Sequence, residues 1–195
     1  MTRPDIDGIV LAGGRGRRMD DRDKGLVELA GRPLAGHVID RLRRQASTLV
    51  ISANRNLDAY ASLGCPVVPD TLPDRPGPLA GILAAAAHTR AEWLLVAPCD
   101  TPFLPADLAD RLLATAQAKG VALVRAADPE RIHYTVMLLH RRLLDDLADA
   151  LATGERRVQG WQARHPHAEA VFDDPAAFFN VNSEDELRRA AVMPK

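Results

Sequence analysis

Four short apolar runs, at 8–11, 49–52, 66–69 and 93–97, are each bounded by Gly, Pro, Asn or Asp and separated by segments of helical spacing. Runs that are apolar at nearly every position cannot leave one face in water, so they read as strands covered on both sides, as in a parallel sheet. Between them, residues 34–45 put Leu34, Val38, Ile39 and Leu42 on one side and Arg41, Arg43 and Arg44 elsewhere, while 78–89 is rich in Ala and Leu. Strand alternating with helix predicts a doubly wound, Rossmann-like α/β fold: a mostly parallel sheet flanked by helices, with ligands at the carboxyl ends of its strands. After a helix over 107–118 the pattern changes, because the strand-like runs 121–124 and 135–139 have little helix between them. Helices are expected again at 141–152, 156–164 and 183–192. The last opens with Ser183 three residues before Glu186, a capping-box spacing. The C-terminal part is therefore read as more α+β.

A chain of 195 residues without a linker, low-complexity tract or internal repeat suits a single domain spanning 1–195. Its formal net charge of −1 supplies no global field for nucleic acid or an anionic membrane, so neither is expected as a partner. Any anionic ligand must be held by local charge. Cys65 and Cys99, the two cysteines, lack metal-ligand spacing and form no disulfide framework, which fits a reducing compartment. No apolar stretch approaches the roughly 18 residues of a membrane span, and no signal-like apolar region follows the N-terminus. A cytoplasmic location is the expectation.

Leu11-Ala12-Gly13-Gly14-Arg15-Gly16-Arg17-Arg18-Met19 follows directly on the first strand, and its glycines let backbone N–H groups approach an anion that a Cβ would block. The dinucleotide fingerprint is excluded because no third glycine follows Gly14-Arg15-Gly16. The Walker loop is excluded because Lys24 is followed by Gly25 rather than Ser or Thr. What remains is a glycine loop supplied with Arg15, Arg17, Arg18 and Lys24, for which a triphosphate is a natural counter-charge. On these residues alone, a glycine turn with a solvated arginine face competes equally.

A second feature lies far along the chain, where Trp93-Leu94-Leu95-Val96-Ala97-Pro98-Cys99-Asp100-Thr101-Pro102-Phe103 delivers a carboxylate to a strand end. Asp100 there suits magnesium completed by phosphate and water; a turn or capping role is the alternative. Ser52 and Asn54 stand at the end of another strand and Asp70 at the end of a third, so they are expected at the same edge, although Asn54 and Asp70 also suit ordinary strand exits. Gly77 and Pro78 open a helix whose free N–H groups could face a phosphate or base. Neither cysteine has a histidine close by and there is no G-x-S-x-G elbow, so no covalent intermediate is expected.

Leu11-Ala12-Gly13-Gly14 with Arg18-Met19, Asp23-Lys24 and Gly31-Arg32-Pro33-Leu34, then Gly77-Pro78-Leu79-Ala80-Gly81 and Pro98-Cys99-Asp100-Thr101-Pro102-Phe103, resembles the molybdenum cofactor guanylyltransferase family from Leu11 to Asn182. The resemblance implies transfer of GMP from GTP to the terminal phosphate of molybdopterin, with magnesium as cofactor and pyrophosphate as leaving group. It carries Arg18, Lys24 and Asp100 over as catalytic residues, with Asp100 as metal ligand. Leu11, Ala12, Gly13, Gly14, Lys24, Ser52, Asn54, Asp70, Gly77, Pro78 and Asp100 become nucleotide contacts. Gly154-Glu155-Arg156-Arg157-Val158 and Phe179-Asn180-Val181-Asn182 would line the acceptor side. Proteins that deliver the cofactor, and molybdoenzyme chaperones that receive it, are implied as partners.

This sequence departs from the family at Ser52, where Asn is frequent, at Asp20 in place of Gly, and at Ser183-Glu184 in place of Thr-Pro. Tyr134-Thr135 replaces Pro-Thr beside His133, which is read as a surface histidine rather than an acceptor contact. A related CTP- or ATP-dependent nucleotidyltransferase, or a non-catalytic nucleotide-binding regulator, is the rival reading.

Overall fold

The structure is a computed structural model describing residues 4–12, 23–70 and 77–193. In chain order its elements are β1 (Ile6–Leu11), β2 (Glu28–Leu29), β3 (Arg32–Pro33), α1 (Leu34–Arg43), β4 (Leu49–Ser52), α2 (Leu57–Ala61), β5 (Val67–Val68), α3 (Pro78–Ala86), β6 (Trp93–Pro98) and α4 (Leu108–Lys119). There follow β7 (Leu123–Ala127), β8 (Ile132–His140), α5 (Leu144–Ala152), α6 (Val158–Gln162), β9 (Ala168–Val171) and α7 (Glu184–Ala191). Among the described residues seven strands form one sheet in the order β5-β4-β1-β6-β8-β7-β9, in which β8 alone runs against the others.

The apolar runs are covered on both faces, as their composition requires. Val10, Leu95, Ala97 and Leu138 face one core with α1 and α4, whereas Ile9, Leu94, Val96 and Met137 face a second with α3, α5 and α6. Burial decides α1. Its N-cap position is Pro33, so no side chain caps it. A missing cap costs about 0.5–2 kcal/mol, but Leu34, Val38, Ile39 and Leu42 are all buried, each contributing roughly 1.5–3 kcal/mol. At α7 the anticipated cap is present: Ser183 accepts from the Glu186 amide, and the Glu186 carboxylate accepts from Asn182 N–H.

Four elements, β2, β3, α2 and β9, lie outside the sequence expectation. The β2–β3 hairpin turns through Ala30 and Gly31, both at positive φ (51° and 75°), and alanine in that position hides the usual Asn-Gly signal. Helix α2 is too short to show a period, and β9 pairs with β7 at the sheet margin. Among the described residues no helix is long and apolar enough to cross a membrane.

Candidate active site

The parallel half of the sheet brings its strand exits together through backbone hydrogen bonds. Ala12 N–H donates to Ser52 O (2.8 Å), Ala53 N–H to Val68 O (3.1 Å), and Cys99 N–H to Leu11 O (2.9 Å). Leu11, Ala12, Ser52, Asn54, Asp70 and Asp100 consequently share one edge, as anticipated. Gly13, Gly14 and Arg18, like Arg15 and Arg17, lie outside the described residues.

Asn54 and Asp70 hold each other. The Asn54 amide donates to Asp70 Oδ2 at 2.6 Å, and Asp70 N–H donates back to Asn54 Oδ1 at 2.9 Å. This pair fixes the β4 and β5 exits as one rigid polar corner. Ser52 is buried, and a Cβ on Gly81 would stand 2.5 Å from its hydroxyl, so glycine at 81 is what lets α3 pack directly against the end of β4. Gly77, at φ +92°, precedes Pro78 as the first residue of α3; both are exposed at the mouth of the same edge.

Asp100 lies just beyond β6, with Lys24 Nζ 3.8 Å from its Oδ2. A segment that sequence patterning left without an element joins them. Val181 is fully buried and its N–H donates to Asp100 O, while its neighbours face the site. Asn180 donates to Asp100 Oδ1 (3.1 Å) and Thr101 Oγ1 (3.2 Å), and Asn182 Oδ1 accepts from Lys24 Nζ. The sequence signal was an Asn-x-Asn alternation around an apolar residue. Expected as acceptor-side lining, these asparagines brace the lysine and the carboxylate. Lys24 is the first residue of a 3-10 turn over Lys24–Leu26 and is only partly exposed.

Burial pushes the Asp100 carboxyl above the usual carboxylate range, and neither Lys24 nor the Asn180 amide fully offsets it. A desolvated carboxylate at a strand end is chemically suited to a cation. Among the described residues no cluster of three or more His, Cys, Asp or Glu forms a metal cage. Among the described residues Asp100 is the carboxylate that would hold a hard ion here, with phosphate and water as further ligands, the habit of magnesium. Burial raises the Cys99 thiol well above its ordinary pKa and keeps it protonated.

His133 corrects the surface reading. It is buried, its Nε2 is 2.6 Å from Asp128 Oδ2, and its ring stacks on Phe178 at 4.4 Å. Burial works against the Asp128 carboxylate, but His133 and the Glu130 and Arg131 amides outweigh it and hold its pKa below the usual range. Arg131 on the same turn donates to Asn180 Oδ1. The β7–β8 turn thus supports the segment that braces Asp100.

A family model described as "MobA-like NTP transferase domain" matches residues 8–169. A relative named molybdenum cofactor guanylyltransferase, from Cupriavidus pinatubonensis, is 46% identical over 193 residues, covering 96% of this chain and 97% of the relative. The crystal structure of molybdopterin-guanine dinucleotide biosynthesis protein A from Archaeoglobus fulgidus superimposes with TM-score 0.77 at 23% identity, covering 95% and 96% of the two chains. A Mycobacterium tuberculosis protein crystallised as a complex with manganese superimposes with TM-score 0.71 at 21% identity, covering 96% of this chain and 98% of that one.

Proposed function

The chain belongs to the molybdenum cofactor guanylyltransferase family and is a nucleotidyltransferase of molybdenum cofactor biosynthesis; we propose that the strand-end cleft holding Lys24 and Asp100 is where it transfers GMP from GTP to molybdopterin. The observation that carries this reading is the convergence on one edge of Lys24, Asp100 and the Asn54–Asp70 corner.

In this reading the triphosphate lies across the β1 exit, steadied by the amides of Gly13 and Gly14, by Arg18 and by Lys24. The nucleoside reaches towards Ser52, Asn54 and Asp70, with Gly77 and Pro78 closing the near side. The terminal phosphate of molybdopterin attacks the α-phosphorus in line and pyrophosphate departs. That phosphate is already ionised, so no general base is required of the protein. What the protein supplies is alignment and fixed charge at the reacting oxygens. Asn182 holds the Lys24 ammonium and Asn180 holds Asp100 Oδ1, so both enter the reaction already oriented. Asp100 would hold magnesium, which when bound offsets negative charge on the phosphates. Cofactor-delivering proteins and molybdoenzyme chaperones are the partners this activity calls for, in the cytoplasm.

Thermal unfolding with GTP, CTP, UTP and ATP, each with magnesium, tests the nucleotide assignment. GTP is expected to give the largest upward shift. Equal shifts from all four would remove the guanine preference while leaving the transferase class standing.

A further inference from the structure

Lys24 has no long element of its own to hold it; its position depends on the residues beside it, and these are fastened with unusual care. Asp23 is buried, and three side chains converge on it, two from the β4–α2 connection and one from α2. Tyr60 Oη donates to Oδ1 at 2.5 Å, Asn56 Nδ2 donates to Oδ2 at 3.0 Å, and Arg55 Nε lies 3.4 Å from the same oxygen. On the other side of the lysine, Gly25 rests directly on the same tyrosine. A Cβ there would come within 2.4 Å of Tyr60 Oη and 3.1 Å of Cys99 Sγ, the residue preceding Asp100.

Two local features show a preference for this arrangement over helix stability. Asn56 stands at the N-cap of α2 in the left-handed region (φ 52°), yet its side chain does not cap that helix and reaches Asp23 instead. Asparagine is among the best capping residues, and a cap contributes about 0.5–2 kcal/mol; here that contact is given up. Tyr60 is fully buried, and burial pushes its hydroxyl far above the ordinary tyrosine range. It stays protonated and remains a donor to Asp23 at any working pH.

We propose that Tyr60 is a positioning residue for nucleotidyl transfer: through Asp23 and Gly25 it sets where Lys24 stands, and it ties that lysine to the β4 exit loop that carries the nucleoside-side residues. The clamp connects the two halves of a nucleotide's footprint. Asn54, paired with Asp70, and Asn56, bound to Asp23, are two residues apart on one loop. A shift of that loop on binding a base is therefore transmitted to the phosphate lysine through a buried, hydrogen-bonded carboxylate rather than through solvent.

The inference rests on the reading of Lys24 as the triphosphate lysine, and a double-mutant cycle separates the two. Steady-state kinetics with varied GTP, and melting curves, are measured for the parent, Tyr60→Phe, Lys24→Ala and the double variant. Tyr60→Phe is expected to lower kcat/KM for GTP about five- to tenfold, the loss of roughly one hydrogen bond's worth of alignment. In the Lys24→Ala background the same change is expected to have almost no further effect, because the group it positions is gone. A double variant weakened by the product of the two single effects, or an unchanged kcat/KM in Tyr60→Phe, would overturn the clamp even if the melting temperature fell. An unaffected Lys24→Ala protein would instead remove the lysine assignment itself. Should Tyr60→Phe not fold, Asn56→Ala takes its place in the same cycle, with the same coupling expected and additivity again counting against the proposal.

Discussion

The two halves of the sheet build their share of the site in different ways. In the parallel half, β5-β4-β1-β6, Leu11, Ser52, Asn54, Asp70 and Asp100 stand at a strand end or within two residues of it, and that part of the site is assembled by the sheet's own register: Leu11, Ser52 and Asp100 are neighbours because β1, β4 and β6 are. In the β8-β7-β9 half no strand exit delivers a residue to Asp100 or Lys24 directly. Support reaches them through the 178–182 segment, held by the His133–Phe178 stack, the Arg131–Asn180 bond and the burial of Val181. In the proposed function the first half presents the groups that act on the nucleotide; the second fixes their geometry. Losses in the first should therefore appear in catalysis and binding, and losses in the second should appear partly as stability.

The largest expected effect belongs to Asp100. Asp100→Asn keeps size and the Asn180 and Thr101 surroundings while removing the charge a hard cation needs. Transfer should fall about 100-fold or more, in the range seen when a group stabilising transition-state charge is lost, with an unchanged melting temperature. Near-parental turnover by a folded Asp100→Asn protein would break the comparison at its strongest point.

Lys24→Ala should weaken GTP binding about tenfold or more, since a charge-assisted phosphate contact contributes roughly 1.5–3 kcal/mol. Its effect on stability should be small, about 1 kcal/mol or less, because the side chain is partly exposed and its partner Asn182 can turn to water. Parental GTP affinity at moderate salt would take the lysine out of the phosphate site.

His133 gives the smallest effect and sharpens the other side. Burial, only partly countered by Asp128, keeps its pKa below the ordinary histidine range. The unfolded chain takes up that proton near its ordinary value of about 6.5 while the native state resists, so stability should decline as the pH falls below about 6.5 towards the depressed native value. Melting curves across that interval should show a shallower decline for His133→Gln than for the parent. Identical slopes would show that His133 does not contribute to acid sensitivity.

The same division explains what the sequence revealed. Runs such as 93–97 announce buried strands because every position must be apolar, and a polar residue stopping such a run has few places to go other than the sheet's edge. Asp100, Asn54 and Asp70 were legible on that ground. The brace formed by Asn180 and Asn182 was not, because only its partners Asp100 and Lys24, far off in the chain, give those amides an orientation. His133 looked like a surface residue because its polar partner Asp128 and its apolar cover Phe178 lie on opposite sides of a turn and a distant segment. Asp23 was visible only as half of a motif; the buried phenol that gives it meaning sits in a helix too short to show a period.

The most direct test of the central claim is pyrophosphate release by the parent protein with magnesium and molybdopterin, using GTP, CTP or ATP in turn and following the α-phosphate label of each nucleotide. The account predicts acceptor-dependent release with GTP far above the other two, and the α-label recovered in a guanine dinucleotide of molybdopterin. Release that does not depend on molybdopterin, or that proceeds as well with CTP or ATP, would contradict it.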